Sequence, residues 1–112
     1  MRLFPPEGSM RTMADPSKSA GWVVLEELPV GAVLDVETAN SSYRIENRGA
    51  GEILISGNAD LCPNPVRVDF HGSSLGKEML KAGFIGREMS MEFRHPVRGI
   101  VRTTRVRDIR AR

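Results

Sequence analysis

The C-terminal segment RHPVRGIVRTTRVRDIRAR, from Arg94 to Arg112, contains arginines at spacings that suit contact with a charged partner. Residues two apart along a β-strand share one face, roughly 7 Å from each other at about 3.3 Å per residue. A guanidinium group binds phosphate and carboxylate oxygens through several parallel hydrogen bonds. One side of a final strand would present four candidate polyanion-binding residues: Arg98, Arg102, Arg105 and Arg107.

Charge is distributed unevenly along the chain, although its net value is only +2. Residues 87–112 contain eight arginines and three carboxylates, a net charge of +5, whereas residues 1–86 have a net charge of −3. The basic strand therefore has two interpretations. Its arginines can pair with acidic side chains such as Asp35 and Glu37 on a neighbouring strand and protect an edge, or they can bind an external anion. Pairing is favoured, because the aromatic residues on which single-stranded nucleic acid stacks are sparse.

Catalysis by a thiol would require Cys62, the single cysteine, with a histidine base such as His71 or His95. The surrounding LCPNP has no local signature of a cysteine nucleophile, and Asp60, Cys62 and His71 lack a recognised metal-ligand spacing. GSSLGK, at residues 72–77, has too few residues between its glycines for a phosphate-binding P-loop. We therefore expect no enzymatic activity, no catalytic residue, no metal and no cofactor.

Composition indicates the kind of scaffold that positions these groups. Apolar residues make up 40% of the 112 residues and charged residues 27%, with 11 glycines and 7 prolines, which is typical of a globular domain with many turns. The single cysteine excludes an intramolecular disulfide and favours a reducing compartment. Neither a membrane helix of roughly 20 apolar residues nor a secretory signal is recognised. We expect one cytoplasmic domain that does not enter the membrane.

Residues 21–112 predict six short, mostly antiparallel strands, because apolar and polar side chains alternate between turns rich in Gly, Pro and Asn. Val106 is out of phase with Val101, which predicts a β-bulge at Thr103 and Thr104. The predicted inward-facing residues are Ala32, Leu34, Val36, Thr38, Tyr43, Ile45, Ile53, Ile55, Val66, Val68, Phe70, Met89, Met91, Phe93, Val97, Val101 and Val106.

The remaining segments complete the predicted fold. SSLGKEMLKAG, between the fourth and fifth strands, predicts one short helix with Ser73 or Ser74 as its N-cap and Gly83 at its C-terminus. Trp22 and Phe84 lie outside the alternating strands and are predicted to plug the barrel ends. Residues 1–20 show no hydrophobic period and predict a disordered tail. The fold class is therefore all-β, a six-stranded barrel or strongly bent sheet.

Three segments, in this order, resemble a family of small, uncharacterised bacterial all-β proteins. They are TANSSYRIE at residues 38–46, HGSSLGKEMLKAGFIGREMSMEFRHP at residues 71–96 and VRTTRVRDI at residues 101–109. The resemblance extends over roughly residues 28–109. It implies a compact barrel-like domain and brings no activity, cofactor or catalytic residue with it.

A small β domain without a catalytic signature is expected to be a non-catalytic binding or assembly module. It would act through contacts with a protein partner, or through self-association by a sheet face or edge. The alternative is that the arginines of the last strand bind nucleic acid or another polyanion. Salt separates the two, because polyanion binding weakens steeply as salt rises and apolar association persists.

Overall fold

The structure, a computed structural model, describes residues 21–76 and 81–112. It contains nine strands in these ranges, of which β1, β6 and β7 have only two or three residues. Their bounds are β1 Trp22–Val24, β2 Val33–Thr38, β3 Ser42–Gly49, β4 Glu52–Ser56, β5 Val66–Ser74, β6 Lys81–Ala82, β7 Phe84–Gly86, β8 Ser90–His95 and β9 Gly99–Ala111.

The six longer strands close into an antiparallel barrel, which confirms the predicted all-β fold. Each of β2, β3, β4, β5, β8 and β9 pairs with the next one in the sequence, and β9 returns to pair with β2. Closure gives each of these strands a neighbour on both sides, which leaves little free edge among the described residues of the barrel. The outer faces and the barrel ends are therefore the larger surfaces for binding.

The core consists largely of the residues predicted to face inward, because alternate side chains point to opposite faces of a strand. Three of the predicted residues do not belong to it. Ala32 precedes β2 and is only partly buried. Val97 is 85% exposed in the turn before β9, and Met89 precedes β8 and is only partly buried. The confirmed inward residues are each at most 6% exposed, and they are Leu34, Val36, Thr38, Tyr43, Ile45, Ile53, Ile55, Val68, Phe70, Met91, Phe93 and Val106.

The predicted bulge in the last strand is confirmed. Arg105 pairs with Ser90, and Arg102 pairs with Glu92, so β9 has two residues where β8 has only Met91. These two residues are Thr103 and Thr104. The Met91 backbone N–H donates to the Thr103 hydroxyl at 3.0 Å, which replaces the backbone bond that the bulge interrupts. The extra residue returns Val106 to the core.

The predicted short helix is wrong wherever the structure describes its residues. Ser73 and Ser74 end β5 instead of capping a helix, and Lys81–Ala82 form β6, which pairs with Gly72 and Ser73. A helix of about two turns gains too few hydrogen bonds to offset its nucleation, whereas these residues extend an existing ladder. Residues 77–80 of that segment, and the predicted tail at residues 1–20, lie outside the described residues.

A small ribbon, β1 paired with β7, packs against the core. Its buried residues are Val23 and Ile85, whereas Trp22 and Phe84 stack on each other on the other side with their ring centres 5.9 Å apart. Strand alternation places both aromatic residues on the face of the ribbon opposite Val23 and Ile85, where they are partly buried, and their predicted role as plugs of the barrel ends stays a prediction. The described helical structure is the 3₁₀ turn Leu25–Glu27, and no helix in residues 21–76 and 81–112 could span a membrane.

Candidate binding surfaces on the outer face of the barrel

Three of the four predicted polyanion-binding arginines form ion pairs within the protein. Arg98 lies 3.6 Å from the Asp60 carboxylate, Arg102 lies 3.3 Å from Glu92, and Arg107 lies 3.1 Å from Glu88. These pairs are about half exposed on the arginine side, so each contributes only about 0 to 1 kcal/mol to stability. Their main effect is to neutralise much of the basic strand. Polyanion binding by the four arginines stays a prediction.

Arg105 differs from the other three arginines. Its side chain is exposed and forms no hydrogen bond or ion pair with the residues that the structure describes. Its backbone carbonyl oxygen accepts a hydrogen bond from Ala39, at the turn between β2 and β3. The arginine is therefore fixed in position by its backbone while its guanidinium group remains available.

The acidic residues of β2 lie beside β9, as the charge distribution suggested. Asp35 is 3.2 Å from Arg44 on β3 and 3.1 Å from Arg112 at the end of the chain. Glu37, two residues along the same face, is exposed and forms no such contact with any described residue. The two carboxylates of β2 thus differ, since one is neutralised by two arginines and the other is not neutralised.

A groove of about 580 Å³ crosses the outer faces of β4, β3, β2 and β9. The loop between β4 and β5 forms one wall of the groove with Pro63 and Pro65. Asn58 holds this loop against the barrel, because its side-chain amide donates to the Ser41 hydroxyl at 2.9 Å and to the Tyr43 hydroxyl at 3.3 Å. The wall of the groove is therefore anchored to the start of β3.

The floor of the groove contains two rows of side chains that cross the strands. In the first row Ser56, Arg44, Asp35 and Arg110 are consecutive partners in the strand register, and their charges alternate. Opposite charges on neighbouring strands attract each other, contributing about 0.2 to 1 kcal/mol for each pair. The single carboxylate of this row, Asp35, is therefore neutralised within the protein.

The second row is acidic, and we call it the acidic row. It consists of Ser42, Glu37 and Asp108, which are consecutive partners across β3, β2 and β9. The Oδ2 atom of Asp108 accepts a hydrogen bond from Arg110 at 2.7 Å. Glu37, in contrast, has no cationic partner in the described ranges. Like charges directly opposite each other destabilise a sheet. The acidic row is therefore a place where an additional positive charge would be favourable.

Gly57 keeps the end of the acidic row open. Its φ of +110° favours glycine, and an added Cβ would lie only 2.7 Å from the Ser42 carbonyl oxygen. Any other residue would push β4 away from β3 at the point where the loop wall begins. The close approach of these backbones sets the shape of the groove at this end.

A separate network on β5, β8 and β9 joins His71, Glu92 and Arg102. The His71 Nδ1 lies 2.9 Å from Glu92 Oε2, and Arg102 binds the other carboxylate oxygen and the Gly76 carbonyl oxygen. The hydrogen bond from His71 lowers the pKa of Glu92 below its ordinary value, burial opposes this shift, and Arg102 adds to it. The network holds three strands together and fixes the orientation of His71.

A second cavity, of about 400 Å³, lies where β5 changes its partner from β4 to β6. Its lining combines Leu25 of the 3₁₀ turn, and Leu28 and Val30 that follow the turn, with Phe70 and His71. The side-chain amide of Asn47, which also lines it, donates to the carbonyl oxygens of Leu28 and Pro29. This amide therefore stabilises the loop above the cavity.

Cys62 and His95, two of the residues considered for thiol chemistry, are both buried. Cys62 is fully buried, and burial raises the pKa of its thiol. His95 contacts the residue before Cys62, because its Nε2 lies 3.2 Å from the Leu61 carbonyl oxygen. Its Nδ1 accepts hydrogen bonds from the backbone N–H groups of Val97 and Arg98. Both ring nitrogens are thus engaged by the backbone. The described residues contain no group of three potential metal ligands of the His, Cys, Asp or Glu type.

No protein-family model, no curated protein and no solved structure matches this chain. The chemistry of its surface is therefore the basis for a function. Sequence patterns placed Asp35 and Glu37 on an outer face, but they gave no indication that Glu37 would lie opposite Asp108. That pairing depends on closure of the barrel between β2 and β9 and on the register of the two strands.

Proposed function

We propose that the protein is a non-catalytic binding module whose groove over β4, β3, β2 and β9 holds an extended, basic segment of a partner protein. The observation that carries the proposal is the acidic row. Glu37 lies directly opposite Asp108 in the strand register and lacks a cation among the described residues. A lysine or arginine of the partner would supply that cation.

The lining of the groove suits such a side chain. The long apolar stem of a lysine or arginine packs well on apolar surface while its charged end reaches a carboxylate. Pro63 and Pro65 provide apolar surface on one wall, and Glu37 with Asp108 provides the carboxylates on the floor. The Ser42 hydroxyl, next in the row, can accept a further hydrogen bond from an ammonium or guanidinium group.

The length of the groove supports a polypeptide as the ligand. Neighbouring strands lie about 4.8 Å apart, so the four strands under the groove span roughly 14 Å. An extended segment of about four residues covers this distance at about 3.3 Å per residue. Contacts on a strand face also suit a barrel whose strand edges are largely paired.

The test measures binding of short fluorescent peptides that contain one central lysine, with norleucine in place of lysine as the uncharged control. We expect the lysine peptide to bind more tightly, and Glu37→Gln to weaken it by about tenfold, which corresponds to about 1.4 kcal/mol. Glu46→Gln is the matched control, because it removes one carboxylate from β3 outside the groove. Equal affinities of the Glu37→Gln and Glu46→Gln proteins for the lysine peptide would contradict the proposal.

A second candidate function is binding of nucleic acid or another polyanion by Arg98, Arg102, Arg105 and Arg107. One observation favours it, namely that Arg105 has no ion pair with the described residues. The other three arginines already contact carboxylates, which an external polyanion would have to displace. The peptide groove is therefore the better supported of the two functions.

A further inference from the structure

The second cavity, of about 400 Å³, has the size and the lining of a small-molecule site. Pockets that hold small molecules measure roughly 300 to 1,000 Å³ and combine mainly apolar side chains with a few polar groups. Leu25, Leu28 and Phe70 provide the apolar surface here, and His71 provides a polar ring. Because an apolar cavity of about 150 Å³ already holds benzene, this one accommodates a molecule with two fused rings.

Backbone hydrogen bonds hold the walls of this cavity in place. The Phe70 N–H donates to the Gly51 carbonyl oxygen at 2.8 Å, and the Gly83 N–H donates to the His71 carbonyl oxygen at 2.9 Å. The Leu25 N–H donates to the Gly83 carbonyl oxygen at 2.8 Å, which connects the 3₁₀ turn to the same wall. A ligand that enters a preformed cavity orders fewer protein groups, so less of its binding free energy is lost.

Val30 lies at the opening of the cavity, where its side chain is both part of the lining and 67% exposed. It packs against Gly49, because a Cβ added to that glycine would lie 3.2 Å from Val30 Cγ2. The glycine therefore leaves room for the valine over the turn between β3 and β4. A ligand in the cavity would remove the exposed apolar surface of Val30 from water, which favours binding.

The contact between His71 and Glu92 determines which nitrogen of the ring is available. His71 Nδ1 lies 2.9 Å from Glu92 Oε2, and this hydrogen bond lowers the pKa of Glu92, so the carboxylate is ionised at neutral pH. An ionised carboxylate only accepts hydrogen bonds, so Nδ1 carries the proton. In the neutral ring, Nε2 is then a hydrogen-bond acceptor.

The Nε2 atom of His71 is accessible from the cavity. It has no hydrogen-bond partner within residues 21–76 and 81–112, and the side chain of His71 is 29% exposed. Strand β8 pairs with one edge of β5, whereas β4 and β6 pair with the other edge, where Gly51 and Ala82 line the cavity. Since Nδ1 is turned toward β8, the opposite side of the ring faces the cavity.

The charge of the lining favours a neutral ligand. No lysine or arginine belongs to the lining among the residues that the structure describes, and Glu26 places a carboxylate at the exposed rim. An anion would therefore enter an apolar site without a cation to pair with, and transfer of an unpaired charge from water to such a site is costly.

We propose that this cavity binds a small, uncharged aromatic alcohol whose hydroxyl group donates a hydrogen bond to Nε2 of His71. Its rings lie against Phe70 and the leucines of the lining, since aromatic rings pack favourably on one another. A phenolic hydroxyl is a suitable donor for an imidazole nitrogen. The site is independent of the peptide groove, because the two cavities have no lining residue in common.

The test is an NMR titration of the full-length protein at about pH 8, where histidine side chains are normally neutral. The ligands are naphthol, its methyl ether, which lacks the donor, and naphthoate, all substituted at the same ring position. We expect a dissociation constant of about 0.1 mM for naphthol, about tenfold weaker binding of the ether and of naphthoate, and the largest amide shifts at Gly51 and Gly83. Equal affinities for naphthol and its ether, or tighter binding of naphthoate, would overturn the proposal.

His71→Phe removes Nε2 and keeps a ring at this position, so it is expected to bind naphthol and its methyl ether equally. Arg102→Gln is the matched control, because it removes another partner of Glu92 that does not line the cavity. This control is expected to keep the tenfold preference for naphthol. A preference that persists in His71→Phe, or that disappears in Arg102→Gln, would contradict the assigned role of Nε2.

Val30→Ala tests the cavity without changing the contacts of Glu92. It is expected to weaken the binding of naphthol and of its methyl ether by about threefold, because it removes apolar surface that the ligand covers. Val97→Ala is the control, since Val97 is also an exposed valine, at 85%, and lies outside the cavity. Equal affinities of these two variants would overturn the proposal. Tighter binding of naphthol by Phe4→Ser would also overturn it, because the N-terminal segment of the chain would then be the occupant.

Discussion

Glu92 connects three strands of the barrel through its carboxylate. It accepts from His71 on β5 and from Arg102 on β9, and its side chain is only 17% exposed. Hydrogen bonds to charged groups in such positions contribute more than those at the open surface. We infer that this carboxylate stabilises the side of the barrel formed by β5, β8 and β9.

The stability that Glu92 provides should depend on pH. Its pKa lies below the ordinary value of 4.5, chiefly because of the bond from His71, so folding favours the ionised carboxylate. This contribution is present above pH 4.5 and is lost as the pH falls through the lower pKa of the folded state. We expect Glu92→Gln to lower the free energy of unfolding at pH 7 by about 1 to 3 kcal/mol, and the difference to shrink below pH 4.5.

Denaturant unfolding at several pH values measures this effect. Glu88→Gln is the control, since it removes an ion pair whose two side chains are each 54% exposed, and its cost should stay below about 1 kcal/mol. A difference between the parent protein and Glu92→Gln that stays constant down to acid pH would refute the assignment.

His71 shows where single-residue prediction fails. Its place in the sequence alternation put it on the outer face with Arg67 and Asp69, as a solvated side chain. The register of β5 shifts between Phe70 and Gly72, so His71 is an extra residue in the strand and turns toward Glu92. A bulge in one strand is defined by the pairing with its partner, which the period of a single strand does not report.

At the scale of elements, strands were predictable where residues alternate and turns contain glycine. Ile53, Ile55, Met91 and Phe93 are all fully buried, as the period of two requires. The bulge at Thr103 was also predictable, because Val101 and Val106 conflict within one strand. The prediction of a helix was wrong because its described residues are compatible with either a helix or a strand. Pairing of β5 with β6 favours the strand.

The turn between β3 and β4 contains an alanine, Ala50, whose replacement should stabilise the protein. Gly49 and Glu52 are paired, so Ala50 and Gly51 form a two-residue turn between them. The φ values of Ala50 and Gly51 are +54° and +80°, and a turn with two positive φ values favours the sequence Asn-Gly. Alanine is disfavoured in this conformation by about 1 kcal/mol, whereas asparagine adopts it readily. We expect Ala50→Asn to raise the free energy of unfolding by about 0.5 to 1 kcal/mol, a few degrees in Tm.

Thermal unfolding of Ala50→Asn measures this gain. Ala39→Asn is the control, because Ala39 lies in another exposed turn and does not have a positive φ. A melting temperature for Ala50→Asn at or below that of Ala39→Asn would show that the turn does not have the assigned conformation.

At the scale of the whole molecule, the sequence has an acidic N-terminal part and a basic C-terminal part. The barrel places strands from these two parts side by side. The acidic strand β2 lies directly beside the basic strand β9, so Asp35 pairs with Arg112. Asp60, Glu88 and Glu92 neutralise three further arginines of the last strand and the turn before it. Two side chains remain without an ion pair among the described residues of these strands, Glu37 and Arg105. Their positions depend on closure and register and could not be deduced from composition.

The ion pairs of the C-terminal arginines lead to a prediction about the affinity of the protein for single-stranded nucleic acid. If the four arginines bound phosphates together, each would contribute about 0.7 to the salt slope of single-strand binding. We expect Arg102→Gln to leave the affinity and slope for a labelled oligonucleotide unchanged between about 50 and 200 mM salt, because Arg102 is held by Glu92 and Gly76. A marked fall in affinity and slope in Arg102→Gln would favour the polyanion function over the peptide groove.

The most direct test of the peptide groove is an NMR titration with the lysine peptide. The shifts of the protein's backbone amide resonances then locate the bound peptide. The acidic row predicts the largest shifts at Glu37, Ser42 and Asp108, much smaller ones with the norleucine peptide, and none of comparable size at Ser74 and Ser90. Unchanged resonances of the acidic row during saturation with the lysine peptide, or equal shifts with both peptides, would contradict the proposed function.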